Sequence, residues 1–527
     1  MERAERQHWV RLGGFALLLV LVSLAATWVG LSGNWVGDDW HMVKNYLYAD
    51  WAELGAVFKR NAADYLFGED KAGPYRPVTM LTLIASHLLT PKPWLHHALG
   101  WLLHAATSLL FFFVLRTQAA ASSVARDDSS RMTDIVAAGV AALFFLHPVN
   151  VESYVWINGR SDLLAGFWLV ALALLLNQMR RAPRRGKTSL LVLGLVAFLG
   201  ASSKLPFAIA ALSAWLAWST RMPSLQVRRA GGAIGAGIAA HLVLRAVYAP
   251  FRGQLGVSEN VFTDPRLWST LPRLAGKGTE ALLAFRAEAM QSLSWVLFGP
   301  WTTSEWLGLA VAMLFLAFLI YRRDLRGLAY WVGALLTLAP VVIVSGTFWL
   351  GFDRYLYMPS ILGLLALYPY IIRAASLGSA AQLLLSVLGF GLLVYAAIQT
   401  HRASEAYASQ EAYDLALLRD HSDDPSIHYY FAKVAYRRSN GVGLRKHLSS
   451  MPSPPWPRPI VVPTYDLAVR AGDTVKAREA IDALVATSSG RRRCASVRAQ
   501  LETWAGKQPD PSIAEHLEEA LAALPCE

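Results

Sequence analysis

The sequence predicts an all-α, polytopic membrane protein with a smaller helical region after its last crossing, and three observations predict it. Hydrophobic residues make up 54% of the 527 and charged residues 16%, where a soluble globule has about 25% charged. Mean hydropathy is +0.34. Apolar runs of about 15 to 22 residues recur, the length a helix needs to cross a hydrocarbon layer of about 30 Å.

The first run, 12–32, is long and lacks a small-residue cleavage site, so it reads as a retained anchor. Further crossings are expected at 95–116, 132–147, 162–179, 188–203, 206–220, 230–248, 305–321, 327–346, 355–373 and 379–399, about eleven in all. The stretch from Val78 to Leu89, bounded by Pro77 and Pro91, is too short to cross and reads as an interfacial helix.

Lys and Arg set the expected orientation. Clusters such as Arg180, Arg181, Arg184, Arg185 and Lys187, or Arg322, Arg323 and Arg326, alternate along the chain with short loops holding a single cation, Arg160, Lys204 or Arg354. This puts the N-terminus in the cytoplasm and, with an odd number of crossings, the C-terminus outside. Much of the net charge of +12 is therefore topology, and no basic stripe interleaved with aromatics points to a nucleic-acid partner.

Residues 1–400 are thus expected to form a transmembrane domain, with long outside segments at 33–94 and 249–304, and 401–527 a C-terminal domain. Trp268, Trp295 and Trp301 suit the headgroup level of the second segment. In the C-terminal region the run from Val475 to Val485 has amphipathic helical spacing. Pro452, Pro454, Pro455, Pro457, Pro459 and Pro463 break the chain into two helical groups. These fit a short repeat domain or a plain helical cap, since no two units align at a constant period near 34. Cys494 and Cys526 would close a loop of about thirty residues in an oxidising compartment, or remain two thiols.

The expensive polar residues fall on the outside-facing loops. Asp38 and Asp39 follow the first crossing, and two carboxylates there are costly unless water, a partner or a reaction uses them. Tyr75 and Arg76 lie near the end of the first outside segment; His147, Glu152, Arg160 and Asp162 in one short loop, Lys204 in a second, and Arg354 in a third. Local ion pairs, Arg160 with Asp162 or Arg354 with Asp353, are the simpler reading, and His147 before Pro148 fits a structural helix end better than a base.

Taken together, Asp38-Asp39, Tyr75-Arg76-Pro77, His96 and His104, His147-Pro148 with Glu152, Gly159-Arg160-Ser161-Asp162, Ser203-Lys204 and Arg354-Tyr355-Leu356-Tyr357-Met358-Pro359-Ser360 resemble the stations of the transmembrane O-mannosyltransferases that carry tetratricopeptide repeats, members of the GT-C glycosyltransferases. The resemblance covers roughly 12–400. It implies a GT-C fold, a tetratricopeptide-like C-terminal domain, a polyprenyl-phosphate sugar donor in the membrane and transfer outside the cytoplasm. Leu205 stands where the family commonly has an acidic residue after the lysine.

The chemistry of the residues is compatible with that expectation. An acceptor hydroxyl attacks an anomeric carbon better if a carboxylate takes its proton, and Asp38 or Asp39 is the candidate base. The leaving lipid phosphate needs positive charge, which Arg160, Lys204 and Arg354 would supply. Tyr75, Arg76, His147, Glu152 and Asp162 are the candidate substrate-binding residues. The expected outcome is single displacement with inversion, moving a hexose, mannose by resemblance, to a protein or glycan acceptor. Asp38, Asp39 and Glu152 would suit Mg²⁺ or Mn²⁺, whereas the resemblance implies no metal requirement. A lipid or solute transporter would more naturally show mid-membrane charges and an internal repeat. A noncatalytic scaffold binding proteins through its C-terminal helices would tolerate loss of Asp38 and Asp39.

Overall fold

A computed structural model describes residues 2–37, 39, 51, 53–60, 74–119, 129–181, 187–248, 265–285, 301–340, 353–454, 456, 458–486, 491–507 and 510–524. Asp38, Cys526, Trp295 and much of the two long outside segments lie outside them. The described residues are helical, with no strand among them. They divide into two compact units, the first comprising Met1–Ala289, Thr303–Ile343 and Asp353–Leu415, the second Met290–Thr302, Val344–Phe352 and Ala416–Glu527.

The first unit is built from α1 (Glu2–Leu31), α2 (Pro77–Leu89), α3 (Pro93–Ala119), α4 (Ser129–Phe145), the short α5 (Val151–Val155), α6 (Arg160–Arg181), α7 (Lys187–Ser203), α8 (Phe207–Ser219), α9 (Ser224–Tyr248), α10 (Pro265–Ala284), α11 (Thr303–Tyr321), α12 (Leu325–Leu336), α13 (Tyr357–Ala375) and α14 (Ser379–Glu405). Each expected crossing overlaps a helix, and residues 341–346 of the one expected at 327–346 lie outside the described residues. Among the described residues, seven helical stretches are long and apolar enough to cross a membrane alone, Leu12–Leu31, Pro93–Ala119, Ile157–Arg181, Ser224–Tyr248, Thr303–Tyr321, Asp353–Ala375 and Ser379–Glu405. Met132–Phe145 with Pro148–Val155 makes an eighth only if counted across a 51° bend. The helices α7, α8 and α12 are apolar but only 17, 13 and 12 residues long, and at 1.5 Å per residue α8 reaches about 20 Å, short of a full crossing. Helix α14 leaves Leu383, Leu384, Val387, Leu388 and Phe390 exposed, as a helix apolar all round does when lipid is its solvent.

Close packing fixes the helices that carry the site. A Cβ added at Gly237 of α9 would collide with the Gly194 carbonyl of α7, and one at Gly308 of α11 with the Gly276 carbonyl of α10. The centre is aromatic. His104 stacks on Tyr154 at 4.4 Å, with its Nδ1 2.7 Å from the Tyr357 hydroxyl and its Nε2 3.1 Å from the Phe145 carbonyl.

Helix α15 (Gln410–Asp420) straddles the boundary between the units. The second contains α16 (Pro425–Arg437), α17 (Gly441–Ser449), α18 (Arg458–Ala471), α19 (Thr474–Val485), α20 (Arg491–Ala505) and α21 (Pro511–Ala522). The second helices of the first two pairs, α17 and α19, begin 33 residues apart. Asn440 and Asp473, also 33 apart, cap α17 and α19 with the same backbone conformation, φ −91° and ψ 85°. Arg470 donates to the Tyr436 hydroxyl, Arg478 to the Ser512 carbonyl, and His516 pairs with Asp482, each across 34 residues. A period the sequence did not display is therefore present in the helix starts. Its carriers are caps and buried alanines such as Ala435 and Ala468, residue types too common to register as a motif. The third pair departs from the period through a longer turn before α21. Cys494 of α20 is fully buried and disulfide-bonded.

Candidate active site

The predicted polar residues gather at one end of the first unit, where α1, α4, α7 and α9 finish and α3, α6 and α13 begin. Asp39, Glu152, Arg160, Asp162, Lys204 and Arg354 are each 5% exposed or less. Burying that many charges is unfavourable unless each is paired or hydrogen-bonded.

Two long-range ion pairs organise the cluster. Lys204, at the end of α7, pairs with Asp162 in the first turn of α6. Arg354, in the turn before α13, faces Glu152 of α5 with its Nε 3.8 Å from Oε1. The second Glu152 oxygen accepts the Asp353 backbone N–H at 3.1 Å. The simpler expectation of local pairs is thus not what forms: Asp162 takes Lys204, 42 residues away, and Arg160 donates from Nη2 to the His96 carbonyl at 2.8 Å. Arg76 joins through its Nη1, 3.2 Å from the Ser161 hydroxyl, which itself lies 3.3 Å from Asp162.

Aromatic rings line the same cations. The Lys204 ammonium sits 4.1 Å from the Tyr355 ring centre, and the Arg354 guanidinium 5.2 Å from that ring and 4.5 Å from Trp156. Sequence reasoning did not choose Trp156 or Tyr355 as site residues. Tyr355 was legible as the neighbour of Arg354, whereas Trp156 lies in an apolar run that gave no signal.

Three cations, Arg76, Lys204 and Arg354, therefore face two carboxylates, Glu152 and Asp162. Burial holds Arg76 below its usual range, and it pushes Lys204 down to about 7 against the pull of Asp162, with Arg76 and Arg354 adding repulsion. Helices α6 and α13 both begin at this end, so the positive ends of their dipoles favour a bound anion here.

Asp39 lies beside the cluster. Its Oδ1 accepts the Asn158 N–H at 3.2 Å and its Oδ2 the Val36 N–H at 3.4 Å, while Trp156 Nε1 donates to the Val36 carbonyl at 3.4 Å. The turn that presents it depends on Gly37, at φ +57°, a left-handed conformation that costs a residue with a Cβ. Gly37 N–H donates to Gln410 Oε1 at 2.9 Å. Gln410 is a residue sequence reasoning missed, since nothing links positions 373 apart.

Two predicted residues are engaged elsewhere. Tyr75 donates its hydroxyl to the Phe58 carbonyl at 2.7 Å and packs on His241 at 5.6 Å; burial raises its phenol to about 12. His147 caps the turn at Pro148–Asn150: its Nδ1 accepts the Val149 N–H at 3.2 Å and its Nε2 donates to the Leu282 carbonyl at 3.0 Å. Both ring nitrogens are occupied, so in this arrangement the imidazole has no lone pair left for a substrate proton.

Fold and site define an all-α, multi-pass membrane protein with a buried polar cluster, net-positive among the described residues, at one end of its helices. No family model matches the chain. The chain is similar to the protein O-mannosyl-transferase TMTC3 of Mus musculus, 29% identical over 157 residues, and to that of Homo sapiens, 28% identical over 157 residues. Each match covers 29% of this chain and 16% of the relative, so the chain spans less than a fifth of these relatives' length. The resemblance drawn from the motifs therefore has a counterpart in aligned sequence.

Proposed function

We propose that this chain is an inverting glycosyltransferase of the GT-C type that moves a hexose, mannose in this reading, from a polyprenyl-phosphate donor to a hydroxyl acceptor on the extracytoplasmic face. The observation that carries the proposal is the convergence of the acid-bearing turn at Asp39 with the Arg76, Lys204 and Arg354 cations at one end of a membrane helix bundle. The similarity to O-mannosyl-transferases supports it.

In this reaction the acceptor oxygen forms a bond to the anomeric carbon as its proton passes to Asp38 or Asp39. The bond between that carbon and the phosphate oxygen breaks on the opposite face, and its electron pair leaves with the lipid phosphate. Arg354 and Lys204 stabilise the departing phosphate, Arg354 through its planar fork and Lys204 as a point charge. Glu152 and Asp162 hold these cations in place before the donor arrives, and Arg76 supplies the surplus charge. Arg160, anchored on His96, fixes the start of α6. Mg²⁺ or Mn²⁺ would be held by Asp38, Asp39 or Glu152 and would supply that positive charge instead; among the described residues no three His, Cys, Asp or Glu side chains gather as a metal site, and Glu152 faces Arg354. The helix pairs of the second unit, read as tetratricopeptide-like, suit a protein acceptor or partner.

The test is sugar transfer from a panel of radiolabelled polyprenyl-phosphate hexoses, in membranes holding matched amounts of wild type, Asp39→Asn or Asp38→Asn. Transfer by wild type that falls about 10²- to 10⁴-fold in one variant is the expected result for loss of the base, and the active donor names the sugar. Absence of transfer from every donor, or transfer indifferent to both substitutions, would overturn the assignment.

A further inference from the structure

A second charged cluster lies at the opposite end of the first unit. Helix α6 begins at Arg160 in the candidate active site and ends at Arg181, about 30 Å away at 1.5 Å per residue. There Arg180 is within electrostatic reach of Arg326, Arg221 and Arg181, which all repel it. These arginines come from the end of α6, the turn after α8 and the first turn of α12.

Arg326 is the most deeply placed. It is 8% exposed, and its Nε is buried with no hydrogen-bond partner; its guanidinium lies 6.0 Å from the Tyr330 ring. Arg180 Nη2 donates to the Thr117 carbonyl at 3.3 Å, a neutral contact. Among the described residues no carboxylate pairs with Arg180, Arg181, Arg221 or Arg326. Among the described residues, the acids Asp324 and Asp134 at this end are committed: Asp324 accepts the Gly327 N–H at 3.0 Å and the Tyr370 hydroxyl at 2.8 Å, and Asp134 pairs with Arg116 at 2.8 Å. A positively charged surface loop would leave its arginines in water. Here one is buried with a stranded donor among like charges, an arrangement that is unfavourable without a counter-anion.

We propose that Arg180, Arg221 and Arg326 form a binding site for the phosphate of an anionic phospholipid headgroup in the leaflet opposite the active site. The source is lipid rather than soluble because the three side chains stand where apolar helices end, with Leu325 and Tyr321 beside them largely exposed. A phosphodiester there meets guanidinium groups and its acyl chains meet apolar helix surface. Basic pockets between transmembrane helices recognise headgroups in this way.

The experiment is native mass spectrometry of the full chain released from detergent, with phosphatidylglycerol, phosphatidylcholine or glycerol phosphate added, on wild type, Arg326→Gln, Arg180→Gln and the exposed control Arg322→Gln. Wild type is expected to retain phosphatidylglycerol in preference to phosphatidylcholine. Each of Arg326→Gln and Arg180→Gln should weaken that retention about tenfold while Arg322→Gln does not. Two separate variants keep the result readable if one of them fails to fold. Equal retention of the two lipids by wild type, an equal loss in Arg322→Gln, or retention of glycerol phosphate as strong as that of phosphatidylglycerol would each overturn the proposal.

Discussion

Two buried lysines, one in each unit, show how differently the same residue is used. Lys476 in the second unit is 6% exposed, and its ammonium reaches the Met451 carbonyl and a Glu479 oxygen, each at 2.7 Å. Its charge is matched locally, three residues along its own helix. Lys204 is 3% exposed and has Asp162, but it also shares its surroundings with Arg76 and Arg354. The first is a satisfied structural cation, whereas the second sits in a cluster with more positive charge than its carboxylates cancel. Excess buried charge of one sign is what a site built for an anion requires before that anion arrives.

Substitutions can break this contrast, and the largest effect is expected at Arg354. Arg354→Ala leaves Glu152 buried without its cation, which should cost about 3–5 kcal/mol of stability and lower transfer about 10²- to 10³-fold. Thermal melting in detergent and initial rates measure the two separately. Next, Lys204→Met is expected to reduce transfer at least tenfold, while Lys476→Met leaves it within twofold and costs about 1 kcal/mol. Equal effects of the two lysine variants on transfer would remove the distinction drawn between them.

The acidity of Lys204 gives a finer test. With its folded value pushed down to about 7, the side chain is charged below neutrality and loses its proton as pH rises through that value. A donor phosphate binds the charged form, so the KM for donor should rise as pH passes about 7, by up to about tenfold per unit. Lys204→Arg, which stays charged, should flatten the profile over the same range. The smallest effect belongs to the repeat caps: Asp473→Ala or Asn440→Ala should destabilise the second unit by about 1 kcal/mol in urea and leave donor KM unchanged.

Much of this organisation was legible because lipid imposes a simple code. Each apolar run became a helix, and the deeply buried charges of the site were visible as residues too costly to place without a purpose. What could not be read was partnership. Lys204 with Asp162 and Arg354 with Glu152 are set by how helices far apart in sequence pack, so nearby residues such as Asp353 looked like equal candidates. The number of full crossings was equally hidden, because α8 is as apolar as the others but, at 13 residues, shorter than the layer it would cross. His147 stood out as a titratable residue, yet its ring is committed to holding a helix end. The 33-residue step emerged only with helix starts in hand, since buried alanines and caps carry it.

The hydrogen bond from Gly37 to Gln410 bears on how the protein is made. Gly37 follows the first membrane helix, and Gln410 follows the last, 373 residues later. A ribosome delivers the acid-bearing turn early and its anchor late. The contacts of this turn with Asn158 and Trp156 become possible once the start of α6 is made, whereas its tether to Gln410 must wait until the last membrane helix of the unit has been synthesised, and a chain stopped short of Gln410 carries the acid pair without this tether.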